Sequence, residues 1–199
     1  MGRTAHAALA LLMLAGCASN TTPQTPKAQA STSPTTERGG AQMVEQTHAV
    51  VEVPLSSGNG WICEDKEFTE PLPAFVAKCA HEEGEPMFLM SKVYVVPADQ
   101  VVPAKRLVDE IYPKNYAKLF ERFQITETKP AQIQGHEGVD VFVEAVSGRG
   151  PARVHERVVV EGTSVFIITQ MGSVKAFEDF ADLRARWLAE TRFRGLAKN

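Results

Sequence analysis

The chain has 199 residues, 44% of them apolar, and carries 21 Lys and Arg against 24 Asp and Glu for a net charge of −3. That mild acidity argues against a nucleic-acid surface, which normally presents a basic face. Length and apolar content suit one folded domain with a single core rather than several.

The first apolar stretch, residues 7–18, holds no charge but falls well short of the roughly 20 residues that cross a bilayer as a helix. Arg3 and His6 precede it, so residues 1–16 have the charged start, apolar middle and small-residue end of a secretory signal. Leu14, Ala15, Gly16 and Cys17 resemble the lipobox of bacterial lipoproteins, in which the cysteine thiol receives a diacylglyceryl group and cleavage falls just before it. The resemblance implies cleavage between Gly16 and Cys17, with Cys17 as the lipidated first residue of the mature chain. An ordinary signal cleaved near Ala18, releasing a soluble protein, is the competing reading. Acyl chains contribute about 0.8 kcal/mol per buried methylene, so two or three of them would hold the protein on a membrane for its lifetime. In Gram-negative lipoproteins an aspartate after the cysteine favours retention in the inner membrane. Ala18 stands there in this chain, which favours the outer membrane of the cell envelope if the organism is Gram-negative. Loss of Arg3 with the signal leaves 20 Lys and Arg against 24 Asp and Glu, a net −4.

Residues 18–42 contain no aromatic and no large aliphatic side chain. With nothing to bury, such a segment stays disordered. As a flexible coil its ends lie about 25 to 30 Å apart, and fully stretched it reaches roughly 80 to 90 Å. Residues 17–42 thus read as a lipidated tether, and residues 43–199 as one globular domain without internal repeats.

Within that domain, strand-like runs come first: HAVVEVP, GWICEDKE, AFVAKCA and MFLMSKVYVV, separated by turn formers at residues 56–60, 71–73 and 84–86. The period then changes. Leu107, Val108, Ile111, Tyr116, Leu119, Phe120 and Phe123 recur at three and four residues, which predicts an amphipathic helix that Pro113 kinks or restarts.

After PAQIQGHEG a two-residue alternation returns. Taking Gly148-Arg149 as a two-residue turn, Gly leading as a type II′ turn prefers, sets Asp140 opposite Arg157, Phe142 opposite His155 and Glu144 opposite Arg153. Two opposite-charge pairs across the ladder support that register. A second turn at Glu161-Gly162 sets Val158 against Val165, and Arg157 and His155 against Phe166 and Ile168. One face of this meander carries Val139, Val141, Val143, Val154, Val158, Val165 and Ile167; the other has Phe142, Val159, Phe166 and Ile168 among charges. A mainly antiparallel sheet covered on each face follows, with two helices to cover it. The second helix is SVKAFEDFADLRARWLAETRF, with Phe177, Phe180, Leu183, Trp187 and Leu188 as its apolar stripe.

From about Val50 to Phe193 the chain resembles PsbP-like domains, including the DcrB-like bacterial lipoproteins. VEVPLSSGNGW, and RVVVEGTSVFIITQMGSVKAFEDFADLRARWLAETRF with its final Phe193, carry the likeness. It implies an α/β fold, a three-layer α/β/α sandwich around an antiparallel sheet with two main helices. It also implies a binding or assembly module rather than an enzyme, and transfers no catalytic motif.

Cys63 and Cys79 remain once Cys17 is lipidated, and export puts them in an oxidising compartment. On neighbouring strands they form a disulfide; separate buried thiols are the alternative. CAHEEGE offers Cys79, His81, Glu82, Glu83 and Glu85, yet successive strand residues point to opposite faces and Gly84 marks a hairpin tip. A solvated turn explains it better than a metal site. His155, between Phe142 and Ile168 with Arg153 and Arg157 beside it, is a candidate pH-sensitive or ligand-contacting group, against the commoner case of a packed histidine. Glu156 falls on the valine face opposite Val141, where an unpaired carboxylate is costly. It needs a sheet margin, a bulge or a cation. Arg184, Arg186, Arg192 and Arg194 gather toward the end of the last helix, where they complement its dipole or meet an anionic lipid or polymer. No nucleophile-elbow or phosphate-loop pattern is present, and no cofactor is indicated.

The sequence therefore points to a lipid-anchored envelope protein, a non-catalytic module that binds or assembles another envelope component. An envelope hydrolase using His155 and Glu156, and a carrier of a small apolar ligand held between a helix and the sheet, are the alternatives. An enzyme requires His155 and a carboxylate in one cleft; a carrier requires an apolar pocket.

Overall fold

The computed structural model describes residues 51–81 and 83–196; the signal, Gly16, Cys17 and the tether lie outside them. Seven strands build the main sheet: β2 (Trp61–Phe68), β3 (Ala74–His81), β4 (Met87–Val95), β5 (Arg122–Ile133), β6 (His136–Ser147), β7 (Gly150–Glu161) and β8 (Ser164–Ser173). Their order is β2-β3-β4-β8-β7-β6-β5, and every neighbouring pair is antiparallel. Two meanders are thus joined where β4 meets β8. A separate two-stranded pair joins β1 (Val51–Glu52) to β9 (Arg192–Phe193).

The central strands alternate between two apolar faces. On β8, Val165 and Ile167 point to one side and Phe166 and Ile168 to the other, and all four are at most 2% exposed. Helices must cover both sides. On the first lie α1 (Ala104–Arg106), a π-helical turn (Leu107–Ile111) and α2 (Tyr112–Leu119), with Leu107, Val108, Tyr112 and Tyr116 over Val141, Val143, Val154, Val158, Val165 and Ile167. On the second lie α3 (Val174–Asp179) and α4 (Ala181–Glu190), where Phe177 and Trp187 pack with Phe75, Leu89, Phe166, Ile168 and Phe193.

Pro113 explains the π-turn. It has no N–H to offer the carbonyl four residues back, and the wider turn closes instead through the Tyr112 N–H to the Leu107 carbonyl. Phe120 then ends the helix in extended backbone with its N–H bonded to the Tyr116 carbonyl, so Phe123 stands in β5 and not on the helix as its spacing predicts. The last helix is also divided. Ser173 caps α3 by accepting the Ala176 N–H at 3.0 Å, the helix breaks at Phe180, and the chain leaves α4 to form β9.

The β6–β7 register is as expected: Asp140 faces Arg157, Phe142 faces His155 and Glu144 faces Arg153. The left-handed φ falls on Gly150 (106°), not on Gly148, so the type II′ assignment does not hold. The next turn sits one residue later than expected, at Gly162-Thr163, with Gly162 at φ 57°. Val158 therefore faces Ile167, Arg157 faces Ile168 and His155 faces Gln170. A slip of two in register leaves every side chain on its expected face.

β5 has no counterpart in the sequence reading. It is an edge strand, mostly exposed, interrupted by a bulge between Ile125 and Glu127 and by Pro130. Those features suit an edge that must not recruit another chain, and they erase its alternation.

Cys63 and Cys79 are directly opposed on β2 and β3 and joined as a disulfide across 16 residues. In the chain-entropy view a loop of that size contributes about 3 kcal/mol. The paired change Cys63→Ala/Cys79→Ala is expected to lower unfolding stability by that order in urea titration. At Gly138 a side chain has no room: an added Cβ would lie 2.1 Å from the Val158 carbonyl oxygen. Gly138→Ala must push β6 from β7, at a cost of about 1 to 3 kcal/mol or more, read as an earlier urea midpoint.

Candidate functional site

Strand alternation sends His155 and Glu156 to opposite faces of β7, so they do not meet in one cleft. Each is buried, at 4% and 3% exposed.

On the α3/α4 face, Asp140 is the centre. Arg157 clamps it with Nε to Oδ1 at 2.7 Å and Nη2 to Oδ2 at 2.8 Å, a bidentate geometry that fixes both groups. His155 Nε2 lies 3.3 Å from Asp140 Oδ1 but out of line for a well-formed hydrogen bond, and its ring stacks on Phe142 at 4.1 Å between centroids. The Lys129 ammonium sits 4.4 Å from the same Phe142 ring. Burial pushes the Asp140 carboxyl upward, but the hydrogen bonds and charge of Arg157 and the nearby His155 ring more than offset it, bringing its pKa down to about 2. Gln170, opposite His155, bonds the Arg184 carbonyl at 2.6 Å and accepts Arg184 Nε at 3.1 Å.

On the α1/α2 face, Glu156 finds neither margin, bulge nor any need of one. The register runs unbroken through Val141 opposite Glu156, and the carboxylate accepts the Tyr116 hydroxyl at 2.6 Å and the Thr169 hydroxyl at 2.7 Å. Thr169 is its cross-strand neighbour, and Tyr116 comes down from α2. All three tyrosines of the chain gather here. Burial first, and then the Glu156 charge, raises the phenol pKa of Tyr94, Tyr112 and Tyr116. Phenols kept protonated are dependable donors, and the Tyr116 bond pins α2 to the sheet.

Beside this cluster the same face opens into a groove of about 630 Å³. Its floor includes Phe88 and Met171, which are paired across β4 and β8. The β6–β7 turn, residues 147–152, forms one wall; the β3–β4 turn around Gly84 and Pro86 forms another; Leu119 and Phe120 at the end of α2 overhang it. The lining is mixed, with Phe88, Leu119, Phe120, Pro151 and Met171 beside Lys78, Glu85, Ser147, Arg149 and Ser173, and its size lies within the roughly 300 to 1,000 Å³ of small-ligand pockets. Neither His155 nor Glu156 lines it.

The remaining sequence candidates serve elsewhere. His81 packs at 5.2 Å from Trp61 and 5.0 Å from Phe180, away from any ligand-like cluster; Glu82 lies outside the described residues. The four arginines do not gather: Arg184 stacks on Phe177, Arg186 pairs with Glu190, Arg192 bonds the Ala189 carbonyl, and Arg194 pairs with Glu52. Arg192 alone answers the expected complement to the helix end. The groove escapes sequence reading because two turns and a helix end far apart in sequence compose it. The tyrosine cluster had one signal, the four-residue spacing of Tyr112 and Tyr116 on the helix that covers the unexplained Glu156.

Tyr116→Phe removes a donor from a buried carboxylate and should cost about 1 to 3 kcal/mol, measured by urea unfolding, with wild-type circular dichroism retained. Asp140 gives a pH signature. Its folded pKa is depressed, so its stabilisation is present above the ordinary value of 3.8 and is lost as pH falls toward about 2. Asp140→Asn should remove that acid-dependent loss, so the slope of stability against pH between about 4 and 2 becomes shallower.

No family model matches the chain, and no curated protein matches it. Among solved structures it is similar to the solution structure of cyanobacterial PsbP (CyanoP) from Synechocystis sp. PCC 6803. That likeness has a TM-score of 0.48 and 11% sequence identity over 81% of this chain and 99% of the other.

Proposed function

We propose that this protein is a lipid-anchored, non-catalytic binding module of the bacterial cell envelope, and that the groove beside α2 is where it takes a small, largely apolar ligand. The groove is the observation that carries the reading: about 630 Å³, floored by Phe88 and Met171 and overhung by Phe120. The divergence of His155 and Glu156 to opposite faces supports the non-catalytic part. The lipobox-like run ending in Cys17 supports the anchor, and the likenesses at residues 51–61 and 157–193 support reading the fold as a PsbP-like α/β/α sandwich. An envelope protein partner, as an assembly module requires, would receive the ligand or read its presence.

Two measurements test this. Cys17→Ser should move the protein from the membrane fraction to the soluble fraction; unchanged retention refutes the anchor. Ala152→Trp puts an indole into the groove. Protein purified from envelopes should show a bound small molecule by native mass spectrometry, and the Ala152→Trp variant should lack it. Equal loading of both, or none in the wild type, refutes the groove as the binding site.

A further inference from the structure

The charges around the groove are not balanced. Three charged side chains line it: Lys78, Glu85 and Arg149. The Lys78 ammonium is held by Glu64 at 2.7 Å, and Glu85 lies close enough to Lys175 to raise that lysine's pKa, behind the larger effect of Asp179. Arg149 has no ion pair among the described residues. It stands exposed at the tip of the β6–β7 turn, and that turn is pinned: the Arg149 N–H donates to Ser147 Oγ at 3.2 Å and the same hydroxyl donates to the Gly150 carbonyl at 3.2 Å. The backbone of Arg149 is thus held at the mouth of the groove, and its exposed guanidinium keeps five donors outside any ion pair among the described residues.

We infer that the groove takes a free single-chain amphiphile with an anionic head, a long-chain carboxylate, its chain along Phe88 and Met171 beneath Phe120 and its head at Arg149. This rests on the proposed reading of the groove as the binding site and adds the class of ligand. The carbonyls that end α2 oppose an anion, but they carry only about half a charge spread over several oxygens, against a full and geometrically matched charge on Arg149. The volume suits one small ligand, which selects a single chain over a two-chain membrane lipid.

The test is calorimetry on the full chain carrying Cys17→Ser, purified without detergent, with three probes: sodium laurate and dodecyltrimethylammonium below their micelle concentrations, and dodecanol below its solubility limit. Laurate should bind at least tenfold more tightly than the cationic probe, and Arg149→Glu should remove that preference. Arg149 is exposed on a turn, and a retained melting temperature verifies folding. Equal binding of laurate and the cation, or an unchanged preference in Arg149→Glu, overturns the anionic head while the groove stands. If no probe binds, or if Ala152→Trp binds all three as the wild type does, the groove reading fails and this inference with it.

Discussion

A central strand that is apolar on both sides governs this structure. β8 cannot lie at a surface: Val165 and Ile167 require one cover and Phe166 and Ile168 another, and at roughly 1.5 to 3 kcal/mol for each fully buried side chain neither face tolerates water. The helices that follow β4 and β8 are the covers. The polar residues at the inward positions of β6, β7 and β8, namely Asp140, His155, Glu156, Thr169 and Gln170, are then buried with them.

The two faces answer differently. Toward α3 and α4 the solution is ionic, with Arg157 forked onto Asp140 and His155 alongside. Toward α1 and α2 it is hydroxylic, with Tyr116 and Thr169 on Glu156. Removing one partner of either arrangement leaves a buried charge short of contacts, which costs more than the net worth of the bond itself. Glu156 also ties the groove to the fold, because the helix that its tyrosine pins is the helix whose end overhangs the groove.

Much of this was legible from periodicity, and the failures are instructive. The valines of β6 and β7 and the charge pairs Asp140–Arg157 and Glu144–Arg153 fix that hairpin, because side-chain alternation and charge act locally. The next turn falls one residue beyond its expected place, yet the faces survive because the resulting slip is even. β5 was invisible, since an edge strand needs little apolar content and Pro130 reads as a breaker. Pairing of Cys63 with Cys79 depended only on β2 and β3 being neighbours. Glu156 was recognised as out of place, but its remedy comes from a helix 40 residues away in sequence, and no local pattern announces a contact of that range. The groove is further still from sequence, being the space left where two turns and a helix end do not touch.

The pairing of β1 with β9 has a mechanical side. If Cys17 is held in a bilayer, tension in the tether enters the folded part at Val51 and Glu52. It meets two residue pairs with Arg192 and Phe193 and the ion pair of Glu52 with Arg194. Glu52, Arg192 and Arg194 are exposed, whereas Val51 and Phe193 are buried, so the pair holds through its apolar half before it yields. The load then passes along residues 53–60 to Trp61 on an edge strand, and two residues further in it reaches Cys63, where the covalent link to Cys79 hands it to β3. Peeling would have to stop there, before the strands that floor the groove are disturbed.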